Sequence, residues 1–304
     1  MSDFLYSMPQ HELSTQIKYV AVMGMTGVGK TTFITALTGD NLTVGHGLNS
    51  CTKNIDVAET FINGQRVHLI DTPGFDDTDL SDTEILKTIA TYLQGEEGTY
   101  IQLTGLLYLH RISDVRMQGS ALKNIRMFRS LVGENNMANV VLVTTRWNSV
   151  TRDEGVSRLR ELLEKDKFWG GMIAAGARHE ALLNVEVGCQ RIVQSLLRQH
   201  PVELEVLREL KAGKSLEQTG AGQVVSAELR KMEQKHAEEI AELKETLRVE
   251  KNSEIAHQFR AAYEEMMQKQ ERIAEEQKRL HQAEMRQLQH QIRNLKHTHH
   301  CSLM

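Results

Sequence analysis

Cysteine, proline and tryptophan are scarce in this chain, and the scarcity of cysteine removes a class of protein. Among 304 residues there are three cysteines, three prolines and two tryptophans. Cys51, Cys189 and Cys301 are too few and too scattered for a disulfide framework or a zinc site, which favours a reducing compartment. The first sixteen residues lack a basic start followed by an apolar core, so no secretory signal is expected. No stretch approaches the roughly 18 apolar residues of a bilayer-spanning helix. A formal net charge of −4 gives no general attraction to nucleic acid or to an anionic membrane. The expectation is a cytoplasmic protein without a nucleic-acid partner.

What is present changes character near residue 200. Before it, short apolar runs ("IKYVAVM", "RVHLID", "TGLLYLH", "ANVVLVTT", "GGMIAAGA") alternate with helical stretches. Undivided runs of that length suit strands covered on both faces, hence an α/β domain with a mostly parallel sheet between helices. "KNIDVAETFI" and "RVHLID" flank Asn63-Gly64, a pair suited to a tight hairpin, so one strand should be antiparallel. We expect a flexible N-terminus over 1–16, the α/β domain over 17–202, and a helical linker over 203–225. In the linker Gly213, Gly220 and Gly222 suggest a hinge.

From Gln223 onward there is no glycine, proline or aspartate. Leu229, Met232, Ile240, Leu243, Leu247, Ile255, Phe259, Met266, Ile273, Leu280, Leu288, Ile292 and Leu295 recur at three, four, seven or eight residues. Between Gln223 and Thr298 fourteen Lys plus Arg balance fourteen Glu. A helix that is polar on most faces cannot hide a thin apolar stripe alone. The pattern predicts a coiled coil over 226–297, roughly 100 Å long at about 1.5 Å per residue. The alternatives are a solvated single helix or a helix folded back on the first domain. A tail, 298–304, follows.

The densest chemistry lies in Gly24-Met25-Thr26-Gly27-Val28-Gly29-Lys30-Thr31, which fits G-x-x-x-x-G-K-[ST] between the strand "KYVAVM" and the helix "TTFITALT". Its glycines let amide groups turn inward around phosphates, and the helix start (Thr31, Thr32) adds its dipole. Lys30 reaches the outer phosphates and Thr31 is placed to hold Mg²⁺. In "HLIDTPGFDD" Asp71 ends a strand, where it can hold Mg²⁺ through water, and the Gly74 N–H can sense a terminal phosphate. The polar loop "GHGLNSCTKN" between the two supplies Thr52, or else Ser50, as a ligand that meets Mg²⁺ when the third phosphate is present.

On "GMTGVGKTT", "SCT", "DTPGFDD", "LLYLHRISDVRM…MFRSLVG" and "VVLVTTRWN", residues 17–200 resemble a septin-related P-loop GTPase domain. The resemblance is to the immunity-associated GTPases and the import receptors of the chloroplast outer envelope. It implies a three-layer α/β sandwich, GTP/GDP and Mg²⁺ as ligands, slow turnover, and homodimers formed face to face across the nucleotide.

Two positions, Phe75 and Asn148, depart from common GTPase patterns. Phe75 stands where many GTPases carry a glutamine that orients water, so hydrolysis is expected to be slow or completed by another group. Arg111 in "HRISD" is the candidate finger from a facing subunit, a role that raises rates by about 10³–10⁵ elsewhere. Its plain alternative is a salt bridge to Asp114. His46 is a second loop candidate for phosphate contact. In "TTRWN", Asn148 replaces the aspartate that accepts two guanine N–H groups, and leaving one donor unmet costs about 1–3 kcal/mol. Arg146 can cover the base, Trp147 fills the wall, and Ala175, Gly176 and Ala177 are candidate contacts on its other edge. GTP is the expected ligand, with XTP or ATP as alternatives. Cys301-Ser302-Leu303-Met304 fits a farnesylation signal, which would add a membrane as partner. A scaffold that binds nucleotide and polymerises without hydrolysis is the rival to a slow GTPase.

Overall fold

A computed structural model of the chain describes residues 16–39, 55–76, 80–95, 100–115, 119–249 and 260–279. Thr52, with Ser50 and His46 of the same loop, and Asp77, Cys51 and Cys301, lie outside the described residues.

Elements appear in the order β1 (Lys18–Gly24), α1 (Lys30–Thr38), β2 (Asp56–Ile62), β3 (Gln65–Asp71), α2 (Asp82–Gln94), β4 (Gly105–Arg111) and α3 (Ser120–Val132). They continue with β5 (Val140–Thr145), α4 (Arg152–Glu164), α5 (Gly171–Ala174), β6 (Arg178–Ala181), α6 (Val185–Leu196), α7 (Glu205–Lys211) and α8 (Gly220–Val249). The six strands form one sheet in the order β2-β3-β1-β4-β5-β6. Every pairing is parallel except β2 with β3. That hairpin turns on Asn63 and Gly64, both at positive φ (52° and 74°), the two-residue turn the dipeptide predicts.

Alternation along the buried strands feeds two cores. Val20, Val22, Val67, Leu69, Val141 and Val143 face α1 and α6, meeting Phe33, Ile34 and Ile192. Ala21, Met23, Ile70, Leu106, Tyr108 and Leu142 face the opposite side with Ile85, Phe128 and Leu131. β1 sits between β3 and β4, so the chain leaving it opens onto the point where successive strands diverge. Ligands of open α/β sheets bind at such a point.

Two expectations are corrected. "GGMIAAGA" is not a strand: it follows a wide turn at Asp166–Gly170 and forms the short helix α5, where Trp169 and Met172 are buried three residues apart. The sixth strand is "RHEA", an edge strand half-buried at every position and therefore without an apolar run. Nor do the glycines after α7 form a loose hinge. Leu204, Val206, Leu207, Leu210, Leu216, Ala221 and Val225 join the same core as the α/β domain, and the Gly220 N–H donates to Glu209 Oε2 at 2.9 Å.

The long helix does not project away from the domain. α8 lies mainly along α3, with a smaller contact to α2. The helical segment 260–279 runs back beside it: Gln277 Nε2 donates to Glu233 Oε2 at 3.0 Å, His236 Nδ1 lies 3.0 Å from Met266 Sδ, and Lys244 Nζ sits 5.7 Å from the Tyr263 ring centre. Low numbers meet high numbers, so the pair is antiparallel. Leu229 and Ile273 are buried with the domain core. Of the apolar stripe, Leu229, Ile240 and Ile273 are thus buried by the chain itself, while Met232 stays exposed.

Candidate functional site

The loop after β1 makes the centre of the site. Gly27 and Gly29 take positive φ (78° and 99°), turning the chain tightly into α1. α1 begins without a side-chain cap, so its first amides face outward with the positive end of the helix dipole, an arrangement suited to an anion. Lys30 Nζ arches back over the loop and donates to the carbonyls of Gly24 and Met25, both at 3.1 Å. Its ammonium is held above the cradle that the amides form.

Thr31 Oγ1 donates to Asp71 Oδ2 at 3.0 Å, joining the first turn of α1 to the end of β3. The other carboxylate oxygen, Asp71 Oδ1, is buried and has no hydrogen-bond partner. Burial, first of all, pushes the Asp71 carboxyl above its ordinary range; the Thr31 hydrogen bond and Lys30 pull it down, and Asp56 adds repulsion. A buried carboxylate with an orphaned oxygen beside a threonine hydroxyl is a donor set that fits a hard divalent cation. Mg²⁺, where bound, would be held by Thr31 and Asp71 and would neutralise phosphate charge.

Beyond Asp71 the chain stays against the cradle. Phe75 N–H donates to Gly24 O at 3.3 Å and Thr26 N–H to Phe75 O at 3.1 Å. This approach requires glycine at 74, because a Cβ there would overlap Thr26. The Phe75 side chain is fully buried in the core, pointing away from the cradle. It offers no polar group to a water molecule, as its chemistry predicts.

Arg111 closes β4. Its Nε lies 3.0 Å from Asp114 Oδ1, so the plain salt bridge exists. The same guanidinium also approaches the cradle: Nη1 lies 3.5 Å from the position a Cβ on Gly27 would occupy. The side chain remains about a third exposed, 36 %, which leaves it within reach of either its own phosphate site or a facing molecule.

Next to α1 is a cavity of about 220 Å³, bounded by Val28, Thr32 and Phe33 on one side and by Thr145, Arg146, Trp147 and Asn148 on another. Thr145 Oγ1 donates to Val28 O at 2.9 Å, fixing this wall to the phosphate loop. Arg146 is exposed in a left-handed conformation at φ 60°, and Asn148 is exposed beside it. The third wall is Leu182, Leu183 and Val185, which sequence reasoning missed.

Gly176, expected at the base, is elsewhere. It precedes β6 and packs near Ala138, at the end of the strand opposite the site, because ligand-facing residues of a parallel sheet follow the carboxyl ends of strands. With β6 at Arg178–Ala181, that rule leads directly to Leu182; the misplaced strand concealed it. Gly24, Thr26, Gly27, Val28, Gly29, Lys30, Thr31, Thr32, Asp71, Gly74, Arg111, Arg146 and Asn148 all gather around one cleft.

Residues 19–165 match the family model described as 50S ribosome-binding GTPase. The chain is 30% identical over 136 residues to GTP-binding protein A of Dictyostelium discoideum, spanning 44% of this chain and 29% of that protein. It is 27% identical over 136 residues to translocase of chloroplast 90 of Arabidopsis thaliana, spanning 43% of this chain and 16% of that protein. The chain therefore covers less than a third of the length of either curated relative. Among solved structures, Arabidopsis thaliana Toc33 in complex with Mg²⁺ and GMPPNP is similar at 16% identity and a TM-score of 0.47, over 62% of this chain and 88% of that one. The G domain of the T. maritima FeoB iron transporter is similar at 17% identity and a TM-score of 0.38, over 60% of this chain and 98% of that one. With its glycine-lysine cradle, its Thr31–Asp71 pair and its strand order, the amino-terminal part of this chain is a P-loop GTPase G domain.

Proposed function

We propose that the chain is a magnesium-dependent guanine-nucleotide switch that turns over slowly and self-associates in its triphosphate state. The observation that carries the reading is the orphaned Asp71 Oδ1 beside Thr31 at the mouth of the cradle. A buried unpartnered carboxylate oxygen is costly unless something occupies it. In the triphosphate state Lys30 and the amides after Gly24 hold the phosphates, Thr31 and Asp71 hold Mg²⁺, and Thr52 completes the set when the γ-phosphate is present. Gly74 then reports that phosphate to the chain leading into α2.

Slow turnover follows from Phe75. Its ring is sunk in the core, so the protein places no side-chain amide at the attacking water from that position. Arg111 is the group able to compensate. A dimerization-deficient mutant of Toc33 has been solved; dimerisation of this chain is proposed on its own geometry, with Arg111 partly exposed beside Gly27. Guanine is the proposed base, with Arg146 covering its face and Asn148 at its edge.

The test is hydrolysis per site measured against protein concentration, with GTP, XTP and ATP as competitors for a labelled guanine nucleotide. The reading expects a rate that rises with concentration and collapses in Arg111→Ala, with GTP as the strongest competitor. A flat, negligible rate with tight GTP binding would instead support a non-hydrolysing scaffold. Attachment to a membrane through a farnesylated Cys301 is a separate proposal. It predicts that Cys301→Ser abolishes incorporation of labelled farnesyl.

A further inference from the structure

Thr144 does not line the base cavity, yet two of its walls, the one carrying Trp147 and the one that starts at Leu182, are tied to it. Its carbonyl accepts from Leu182 N–H at 2.9 Å, securing the start of the Leu182–Val185 wall. The same carbonyl accepts from Trp147 Nε1 at 3.2 Å, and the Thr144 hydroxyl oxygen accepts from that indole at 3.0 Å. Trp147 is therefore held by its nitrogen. Its ring is also held by its edge, since a Cβ on Gly155 would come within 2.6 Å of Trp147 Cζ3. An indole fixed in this way fixes the backbone on either side of it, which carries Arg146 and Asn148.

The hydroxyl has a second partner. Thr144 Oγ1 lies 3.1 Å from His179 Nε2, and Thr144 is fully buried. A threonine hydroxyl has one proton and two lone pairs, and an indole N–H can only donate. With one lone pair given to Trp147, the buried proton finds its acceptor at His179 Nε2. His179 must then be neutral, with its proton on Nδ1. Burial holds its pKa down at about 4, in keeping with that form. The Trp169 ring, 6.0 Å away between centroids, packs against the imidazole and limits its rotation.

We propose that Thr144, through Trp147 on one side and Leu182 on the other and with His179 as the acceptor that orients its hydroxyl, is the positioning residue that sets the geometry of the base site. The proposal rests on the reading that the 220 Å³ cavity takes a nucleotide base. It separates recognition of the base from recognition of the phosphates: Thr144 acts on the first and leaves the second alone. Residues of the cradle are anchored instead through Thr145 and Val28.

The experiment compares binding of GDP with binding of inorganic tripolyphosphate, both with Mg²⁺, to the full chain. Thr144→Val keeps the shape and removes the hydroxyl; Trp147→Phe keeps much of the ring and removes the donor; Thr144→Ser restores the hydroxyl. Losing such a hydrogen bond should weaken GDP about tenfold in the first two variants while tripolyphosphate changes less than about twofold. Thr144→Ser should bind GDP as the parent does. Wild-type GDP affinity in both Thr144→Val and Trp147→Phe overturns the proposal, as does equal loss of both ligands, which marks general loosening. Should Thr144→Val fail to fold, Trp147→Phe alone decides by the same two ligands. A parent protein that binds tripolyphosphate as tightly as GDP overturns it at its root, and shows that the fault lies with the base cavity rather than with Thr144.

Discussion

Thr83 Oγ1 donates to Glu276 Oε1 at 3.3 Å across 193 positions of sequence. One turn on, Arg279 Nη1 lies 2.9 Å from Glu84 Oε1. Both contacts join the returning segment 260–279 to the first turn of α2, the helix that follows Gly74 and Phe75 in the chain. Asp76 N–H reaches Asp82 Oδ1 at 3.3 Å, and Asp82 pairs with Lys123 of α3. The carboxyl-terminal helices are thus seated on the part of the domain that follows the Asp71–Phe75 segment.

What seats them is apolar burial more than charge, and the two can be separated. Ile273 is 5 % exposed within the core cluster, whereas Arg279 and Glu84 are both substantially exposed. Ile273→Ala should loosen the segment by about 2–4 kcal/mol. Arg279→Ala should cost under about 1 kcal/mol, as exposed ion pairs do. Hydrogen exchange of α2 and of 260–279 reads the difference: strong deprotection in the first variant and little in the second. The reverse order would mean that charge, not packing, holds the segment.

Asp71 should show opposite effects on stability and on binding. Its folded pKa is raised, chiefly by burial. A carboxyl raised in this way prefers to be protonated in the folded state. Its charge therefore costs stability above the folded pKa, and that cost is relieved as pH falls toward the unfolded value. Without nucleotide, Asp71→Asn should melt higher than the parent at neutral pH, with the gap closing as pH falls into the carboxylate range. With nucleotide the sign reverses: Mg²⁺ should no longer tighten binding, and chelating it should weaken the parent but not the variant. Calorimetric melting and nucleotide titration, each with and without Mg²⁺, check both halves.

Phe75 invites the substitution that common GTPase patterns suggest, and the structure predicts that it fails. The ring is fully buried, so Phe75→Gln would remove core packing and bury an amide without a partner. The expected cost is about 3–5 kcal/mol. Turnover per site should not rise, because the side chain at this position enters the core rather than the cleft. Denaturant unfolding and single-turnover hydrolysis measure the two effects. A faster, fully stable variant would show that the loop can turn residue 75 outward.

The parts of this molecule legible in sequence are those where one local rule decides. The cradle follows from glycines ahead of lysine and threonine, and the hairpin from Asn63-Gly64. The four central strands follow from apolar runs that only double-sided burial explains. β6 was illegible because an edge strand such as "RHEA" carries no such run, and the nearby "GGMIAAGA" imitated one while packing as a helix. The Leu182–Val185 wall was lost with it. The stripe from Leu229 to Ile273 announced a need for cover without naming its source, since a second copy and the chain's own domain meet that need equally. The role of Thr144 depends on three residues brought together by the sheet, which no spacing in sequence displays.

Gly213, after α7, and Gly220 and Gly222, in the first turn of α8, provide a last test, because flexibility and close approach predict different rankings. At Gly222 an added Cβ would overlap the carbonyl of Leu216, a backbone atom that cannot swing away. At Gly213 no atom lies within 4 Å, but φ is 89°, a conformation costly for an L side chain. At Gly220 the nearest atom is Ser130 Cβ at 3.5 Å, an ordinary contact in the first turn of a helix. Gly220→Ala should be neutral or slightly stabilising, since alanine restricts the unfolded chain. Gly213→Ala should cost about 1–2 kcal/mol. Gly222→Ala should cost most and loosen α8 from α3, which thermal melting and hydrogen exchange along α8 would record. Equal, small effects at all three positions would restore the hinge that the glycines first suggest.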